Sequence, residues 1–268
     1  GVPVIIRLTT RISHSRGQVM PAAPEQQVQK EKAKDPSAWM LLPAYARKRW
    51  QVLLEKQKSF VEYTRNSGFI KHTNAEPGAD EKFGIITSGL AYNYLMENKN
   101  DIKGMPEHLH IGAYPVDEGL IAEFCSGKDR ILVIEEGDSF LEDKIRGMVP
   151  SISIRGRADG SIPRTGELNP DIVRSTVGLE PLAHAEIPSM ELPKRPPQLC
   201  KGCPHRDSYD FIKEASAAFP EVIITADIGC YALGALPPYQ VPQAIVCMGA
   251  SVSMAKGAAE AGRTPAVA

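Results

Sequence analysis

The chain has 268 residues, 43% of them apolar and 24% charged, the balance of an ordinary soluble globular protein with room for more than one domain. A formal net charge of −1 gives no support to a broad nucleic-acid-binding or anionic-membrane role, and no run of roughly 18 apolar residues is present to span a membrane. Five cysteines are too few, and odd in number, for a secreted disulfide scaffold, which favours a reducing cytoplasm.

Val2 to Thr9 is β-branched and apolar, the composition of a buried strand. The polar stretch from Gln18 to Trp39 reads as a surface linker. A helix is predicted from Pro43, a residue suited to the first turn, with Trp50, Leu53, Leu54 and Val61 as its apolar side and its Lys, Arg and Glu as a solvated face. The chain begins inside a strand-like run at Gly1 and stops on the strand-like "RTPAVA", so it reads as an internal fragment of a longer protein.

From about 80 to 180, strands and helices alternate. "KFGIITSG", "HLHIGAYP" and "RILVIEEGD" read as strands, and "LAYNYLMEN", "DEGLIAEFCSG" and "SFLEDKIRGMV" as helices. Asp117 stands near the start of the second of these helices and Gly127 at its end. Continuous apolar strands between helices predict an α/β domain whose parallel sheet is covered on both faces. Cys125 is expected to serve as plain packing.

"EIPSMELPKRPPQ" holds four prolines in thirteen residues, so 181–195 is read as the linker and 196–268 as a further domain. There Pro204 fits a first helical position with Cys203 at the cap, and Phe211, Ile212, Ala215, Ala218 and Phe219 fall on one helical face. "EVIITADIGC" is a strand running into a loop. "QAIVCMGASVSMAKGAAEAG" is another strand, a glycine turn and a helix whose Ala255, Ala258, Ala259 and Gly262 permit close packing.

The chemistry-bearing stretch is "LCKGCPHRDSYDFIKEA". Its C-x-x-C has no second C-x-x-C to complete a zinc site, and a Pro-rich linker instead of a strand precedes it, unlike a thioredoxin-type pair. An iron–sulfur cluster needs four thiolates; Cys200, Cys203 and Cys230 supply three, with Cys247 a fourth only if the fold allows. Alternatively, Cys203 and His205 line a pocket or cap the helix. "DIGCYALG" and "MGAS" are turns after successive strands, where open α/β sheets bind ligands, and the amides of "MGAS" could face an anion or a polar ring. With "CPHR" they point to one cofactor pocket.

In this order and spacing, "LCKGCPHRDSYDFIKEA", "DIGCYALGALPPY" and "CMGASVSMAKGAAEAG" closely resemble the alpha-subunit family of indolepyruvate ferredoxin oxidoreductases, within the thiamine-diphosphate-dependent 2-oxoacid:ferredoxin oxidoreductases. "VIIRLTTRISHSRG", "WMLLPAYARKR", "FGIITSGLAYNYL", "VIEEGDSFLEDKIR" and "GELNPDIV" match as well, so the resemblance covers nearly the whole chain. It implies that 1–20 is the tail of a pyrimidine-binding domain, 21–79 a linker and helical connector, 80–180 a transketolase C-terminal-like domain, and 196–268 the opening of a pyrophosphate-binding domain. It implies oxidative decarboxylation of an arylpyruvate such as indolepyruvate to an arylacetyl-CoA, with reduction of ferredoxin. Thiamine diphosphate, Mg2+ and [4Fe-4S] clusters would be the cofactors, and a beta subunit, ferredoxin, CoA and the 2-oxoacid the partners. The activating glutamate, the magnesium-binding Asp and Asn and the C-terminal cluster cysteines would fall outside this chain, which is expected to be inactive alone.

By the same resemblance, Gly229, Cys230 and Tyr231 would sit near the diphosphate. Met248 and Gly249 would meet the rings, with Ala250 and Ser251 beside them. Cys203 and His205 would flank the pocket, His205 in proton transfer or as a hydrogen-bonded wall. Cys200, Cys203 and Cys230 would hold a cluster. Two other readings stay open at this point: a ferredoxin oxidoreductase for another 2-oxoacid, and a non-catalytic electron-transfer or interaction module.

Overall fold

The computed structural model describes residues 3–24, 35–183 and 196–268, and the chain divides into two compact units, Gly1–His184 and Ala185–Ala268. Most of the Pro-rich linker read at 181–195 lies outside the described residues.

The first unit contains α1 (Thr10–Ser13), α2 (Pro43–Asn66), β1 (Ile70–Thr73), β2 (Phe83–Ser88), α3 (Ala91–Glu97), β3 (Glu107–Ile111), α4 (Glu118–Cys125), β4 (Arg130–Ile134), α5 (Phe140–Met148), β5 (Ser153–Arg155) and α6 (Pro170–Thr176). Five strands form one sheet in the order β1-β3-β2-β4-β5. Pairing is parallel throughout except for β1, which runs antiparallel to β3 with Ile70 opposite Ile111. The expected parallel sheet is therefore a mixed one, and its antiparallel edge strand comes from a stretch read as connector.

The apolar runs of the central strands explain their position, because successive side chains point to opposite faces and both faces are covered. Ile86, Leu109, Ile131 and Val133 pack with Ile121 and Phe124 of α4 and Leu141 and Ile145 of α5. Ile85, Leu132 and Ile134 pack with Ala91, Tyr94 and Leu95 of α3 and Val173 of α6. Fully burying one such side chain contributes roughly 1.5–3 kcal/mol. Cys125 belongs to the first of these cores, and burial pushes its thiol up to about 11. The Asp117 carboxylate accepts from the Gly119 and Leu120 amides and starts α4, which Gly127 follows in a left-handed conformation.

Polar residues are also buried on this sheet. The Thr87 hydroxyl lies 2.8 Å from His108 Nε2 and 3.1 Å from His110 Nδ1, and Tyr92 stacks over His108. Burial pushes both imidazoles down to about 4; the charge of His110 adds to the effect on His108, and that of Lys71 to the effect on His110. The Glu135 carboxylate accepts the Leu141 and Glu142 amides at the start of α5, yet burial still raises its value.

Two sequence expectations fail here. Residues 3–9 form no strand; Val4, Ile5, Ile6 and Leu8 are exposed, because no neighbouring strand among the described residues offers them a ladder. Helix α2 forms with Pro43 in its first turn, but Trp50, Leu53 and Leu54 face solvent and Thr64 is its one buried residue. The Thr64 hydroxyl is 2.7 Å from the Pro115 carbonyl, and Arg65 pairs with Asp117 at 2.8 Å.

The second unit contains α7 (Pro204–Ser216), β6 (Ile223–Ala226), β7 (Ala244–Ile245), α8 (Ser251–Glu260) and β8 (Ala266–Val267). Its three short strands are parallel, in the order β7-β6-β8. The small core holds Leu199, Tyr209, Ile224 and Val241. The apolar face expected on α7 is largely open: Phe211 and Phe219 are exposed and Tyr209 is the buried residue of the helix. On α8 the small-residue expectation holds at Ala255, which is buried.

Candidate functional site

Three turns of the second unit are tied in pairs: the turn before α7 touches the turn after β6, and the turn before α8 is tied to the end of β6. The first precedes α7. Cys203 occupies the cap position with extended backbone angles, and its amide lies 3.2 Å from the Cys200 carbonyl across Gly202, whose φ is +73°. Its sulfur does not cap the helix. It lies 3.3 Å from His205 Nδ1 instead.

The second turn follows β6 and becomes a 3-10 turn, Cys230–Ala235. Its Tyr231 ring stands edge-on to His205, with centroids 5.7 Å apart. The Tyr209 hydroxyl, reaching up from α7, donates to the Tyr231 carbonyl. A Cβ on Gly234 would stand 2.1 Å from the Tyr209 ring, so glycine is what lets that tyrosine lie against the turn.

The third turn, Met248–Ser251, opens α8. Gly249 has φ +85°, and a Cβ there would meet nothing within 4 Å, so its backbone faces open space. Met248 is 80% exposed. The turn is fastened from β6. The Ser251 amide donates to Asp227 Oδ1 at 2.6 Å, and the Thr225 hydroxyl lies 2.8 Å from the Ser251 carbonyl. Bonds from the Ser251, Gly249 and Ala250 groups hold the Asp227 carboxyl below its usual range.

The structure thus links Cys203, His205 and Tyr231 by direct contact, and ties Ser251 to Asp227, two residues before Gly229. Ala250 is the residue before α8. The residues that do the fastening, Asp227, Thr225 and Tyr209, were not singled out from the sequence. The available signal was the acidic residue at the end of a strand, two positions before a glycine.

Cluster chemistry is not supported by the same geometry. Cys200, Cys230 and Cys247 are exposed, and among the described residues no group of three or more His, Cys, Asp or Glu is arranged to hold a metal ion. Among the described residues, Cys200, Cys203, Cys230 and Cys247 are not gathered into a four-thiolate set. For thiamine diphosphate, the open Gly249 backbone, the exposed Met248 thioether and the nearby Asp227 carboxylate fit the cationic ring end of the cofactor. Among the described residues, no helix is long and apolar enough to cross a membrane.

No protein-family model matches the chain. Curated proteins do. It is 36% identical over 96% of its length to indolepyruvate oxidoreductase subunit IorA of Methanothermobacter marburgensis. The proteins of the same name from Thermococcus kodakarensis and Archaeoglobus fulgidus are 34% and 32% identical over 95% and 97% of the chain. The resemblance carried by the motifs therefore runs through nearly the entire chain, and the relatives are oxidoreductase subunits by name. The chain spans about 43% of the length of these relatives.

Proposed function

We infer that this chain is a segment of the alpha subunit of an indolepyruvate ferredoxin oxidoreductase, and that its second unit forms part of the thiamine diphosphate site. The observation that carries the reading is a likeness of 32–36% identity maintained over about 96% of the chain. The contact of the "CPHR" turn with "DIGCY", and of the "MGAS" turn with Asp227, supports it. On this reading residues 80–180 are the transketolase C-terminal-like domain, and the whole protein decarboxylates an arylpyruvate oxidatively, passing electrons to ferredoxin with a beta subunit and CoA as partners.

When bound, thiamine diphosphate supplies an electron sink for the carbanion left as carbon dioxide departs. This chain contributes position. The Gly249 backbone and Met248 side chain form an open wall for the rings. Tyr209 holds the turn bearing Tyr231 through its hydroxyl. His205, in contact with the Cys203 sulfur and the Tyr231 ring, is on this reading the residue for proton transfer or a hydrogen-bonded wall.

The test is made on the complete subunit co-expressed with its partner subunit. Bound thiamine diphosphate is measured after anaerobic purification, and indolepyruvate- and CoA-dependent ferredoxin reduction is assayed. Cofactor together with arylpyruvate turnover is the expected result; a protein without thiamine diphosphate and without 2-oxoacid turnover overturns the reading.

A further inference from the structure

The turn before α8 has the form of an anion seat: successive amides converge at a helix N-terminus, where partial positive charge favours a phosphate. The seat is already taken. Asp227 Oδ1 accepts the Ser251 amide at 2.6 Å, and the neighbouring Gly249 and Ala250 amides help hold its carboxyl below the usual range. The Ala250 amide is further engaged by the Cys247 carbonyl at 3.2 Å. Thr225, two residues earlier on β6, meets the Ser251 carbonyl at 2.8 Å, so the turn is tied at its donor and its acceptor.

We propose that Asp227 is a positioning residue that fills the amide turn of Gly249–Ser251 from within, excluding the cofactor's diphosphate from this helix terminus and fixing the turn as a wall for the cationic ring end. The proposal rests on the reading that the turn faces thiamine diphosphate. Two consequences follow from charge alone. An external phosphate would have to displace a carboxylate from its amides while meeting like charge. A positively charged ring approaching the open Gly249 backbone meets a fixed negative charge close behind it. The turn expected to face either an anion or a ring is thereby restricted to the ring, and the diphosphate is left to groups away from the α8 terminus.

Asp227→Ala and Asp227→Asn are made in the complete enzyme with its partner subunit. Binding of two probes, inorganic pyrophosphate and unphosphorylated thiamine, is followed by calorimetry in phosphate- and sulfate-free buffer without magnesium. Emptying the seat is expected to raise pyrophosphate affinity about tenfold in Asp227→Ala and to lower thiamine affinity by about tenfold, the scale of one charge-assisted hydrogen bond. Asp227→Asn keeps the shape and one acceptor and changes both affinities in the same directions by less. If the alanine variant does not fold, as read by circular dichroism, the asparagine variant decides the matter. A merely structural role would weaken both probes together, and that outcome, or unchanged affinities, overturns the proposal. If the wild-type enzyme binds no thiamine diphosphate, the functional reading fails on its own, while the pyrophosphate comparison still decides whether Asp227 keeps anions out.

Discussion

The two units use the same strand–helix alternation and differ in how much of it they bury. In the first, a five-stranded sheet is covered on both faces, and Ile86, Leu95, Ile111, Val133 and Leu141 are completely enclosed. In the second, three strands of two to four residues support a core of four buried apolar residues, while Phe211, Phe219, Val246, Met248 and Val252 remain exposed. Around its sheet the first unit spends its apolar side chains on cohesion, while residues 3–9 and α2 leave theirs exposed. The second holds several of them outward, beside turns fastened by a few polar contacts such as Ser251 to Asp227 and Tyr209 to Tyr231. Precise local geometry at the candidate site therefore depends on a few polar contacts, not on a large core.

This contrast can be broken most forcefully at Ile86, at the centre of the first sheet. Ile86→Ala is expected to cost about 2–5 kcal/mol, because a packed interior relaxes only partly around the lost methyl groups. Chemical denaturation of the chain measures it; a loss below about 1 kcal/mol would mean the first core is no tighter than the second.

A second test uses acidity. His108 and His110 have values near 4 in the folded unit, against an ordinary 6.5, so the unfolded chain binds more protons between those values. Stability of the first unit is then fully present above about 6.5 and falls as the pH drops toward about 4. Glu135, raised by burial, opposes this trend, since its protonation on acidification favours the folded form. His108→Leu should reduce the slope of stability against pH across this window to about half, the share of one of two protons. Denaturant melts at a series of pH values read the slope, and an unaltered slope would remove the buried imidazoles from the account.

The smallest effect is expected at Phe211, which is 68% exposed on α7. Phe211→Ala should change stability in this chain by no more than about 0.5 kcal/mol, as surface substitutions do. A loss on the scale of Ile86→Ala would show that the second unit buries this ring after all.

The legible part of the fold was the part with the strongest burial. Continuous apolar runs ending in glycine marked β2 and β4, and Asp117 and Gly127 marked the ends of α4. Strand β1 escaped because "IKHT" carries a charge and an imidazole where a buried strand would be apolar; as an edge strand it needs only one partner. Residues 3–9 misled in the opposite direction, since β-branched composition fits a strand but supplies no neighbour. Helical spacing placed Phe211 and Phe219 on one face of α7 without saying what covers that face. "HLH" placed two imidazoles on the same side of β3, yet their burial depends on Thr87 and Tyr92, which are distant in sequence. At the candidate site the glycines announced the turns. Asp227 showed only as an acidic residue at a strand end, because its role depends on Ser251, 24 residues onward.

The antiparallel strand β1 sets a limit on how far the first unit could be trimmed. It covers the outer edge of β3, whose residues from His108 to Ile111 are all buried, and it presents Lys71 and His72 to solvent. A shortened chain starting at β2 would keep every central strand but bare that edge, leaving unpaired backbone groups beside enclosed apolar side chains. Such an edge invites pairing with another chain. The tolerable boundary for truncation lies before Ile70, so the short charged strand acts as a guard against aggregation as much as a member of the sheet.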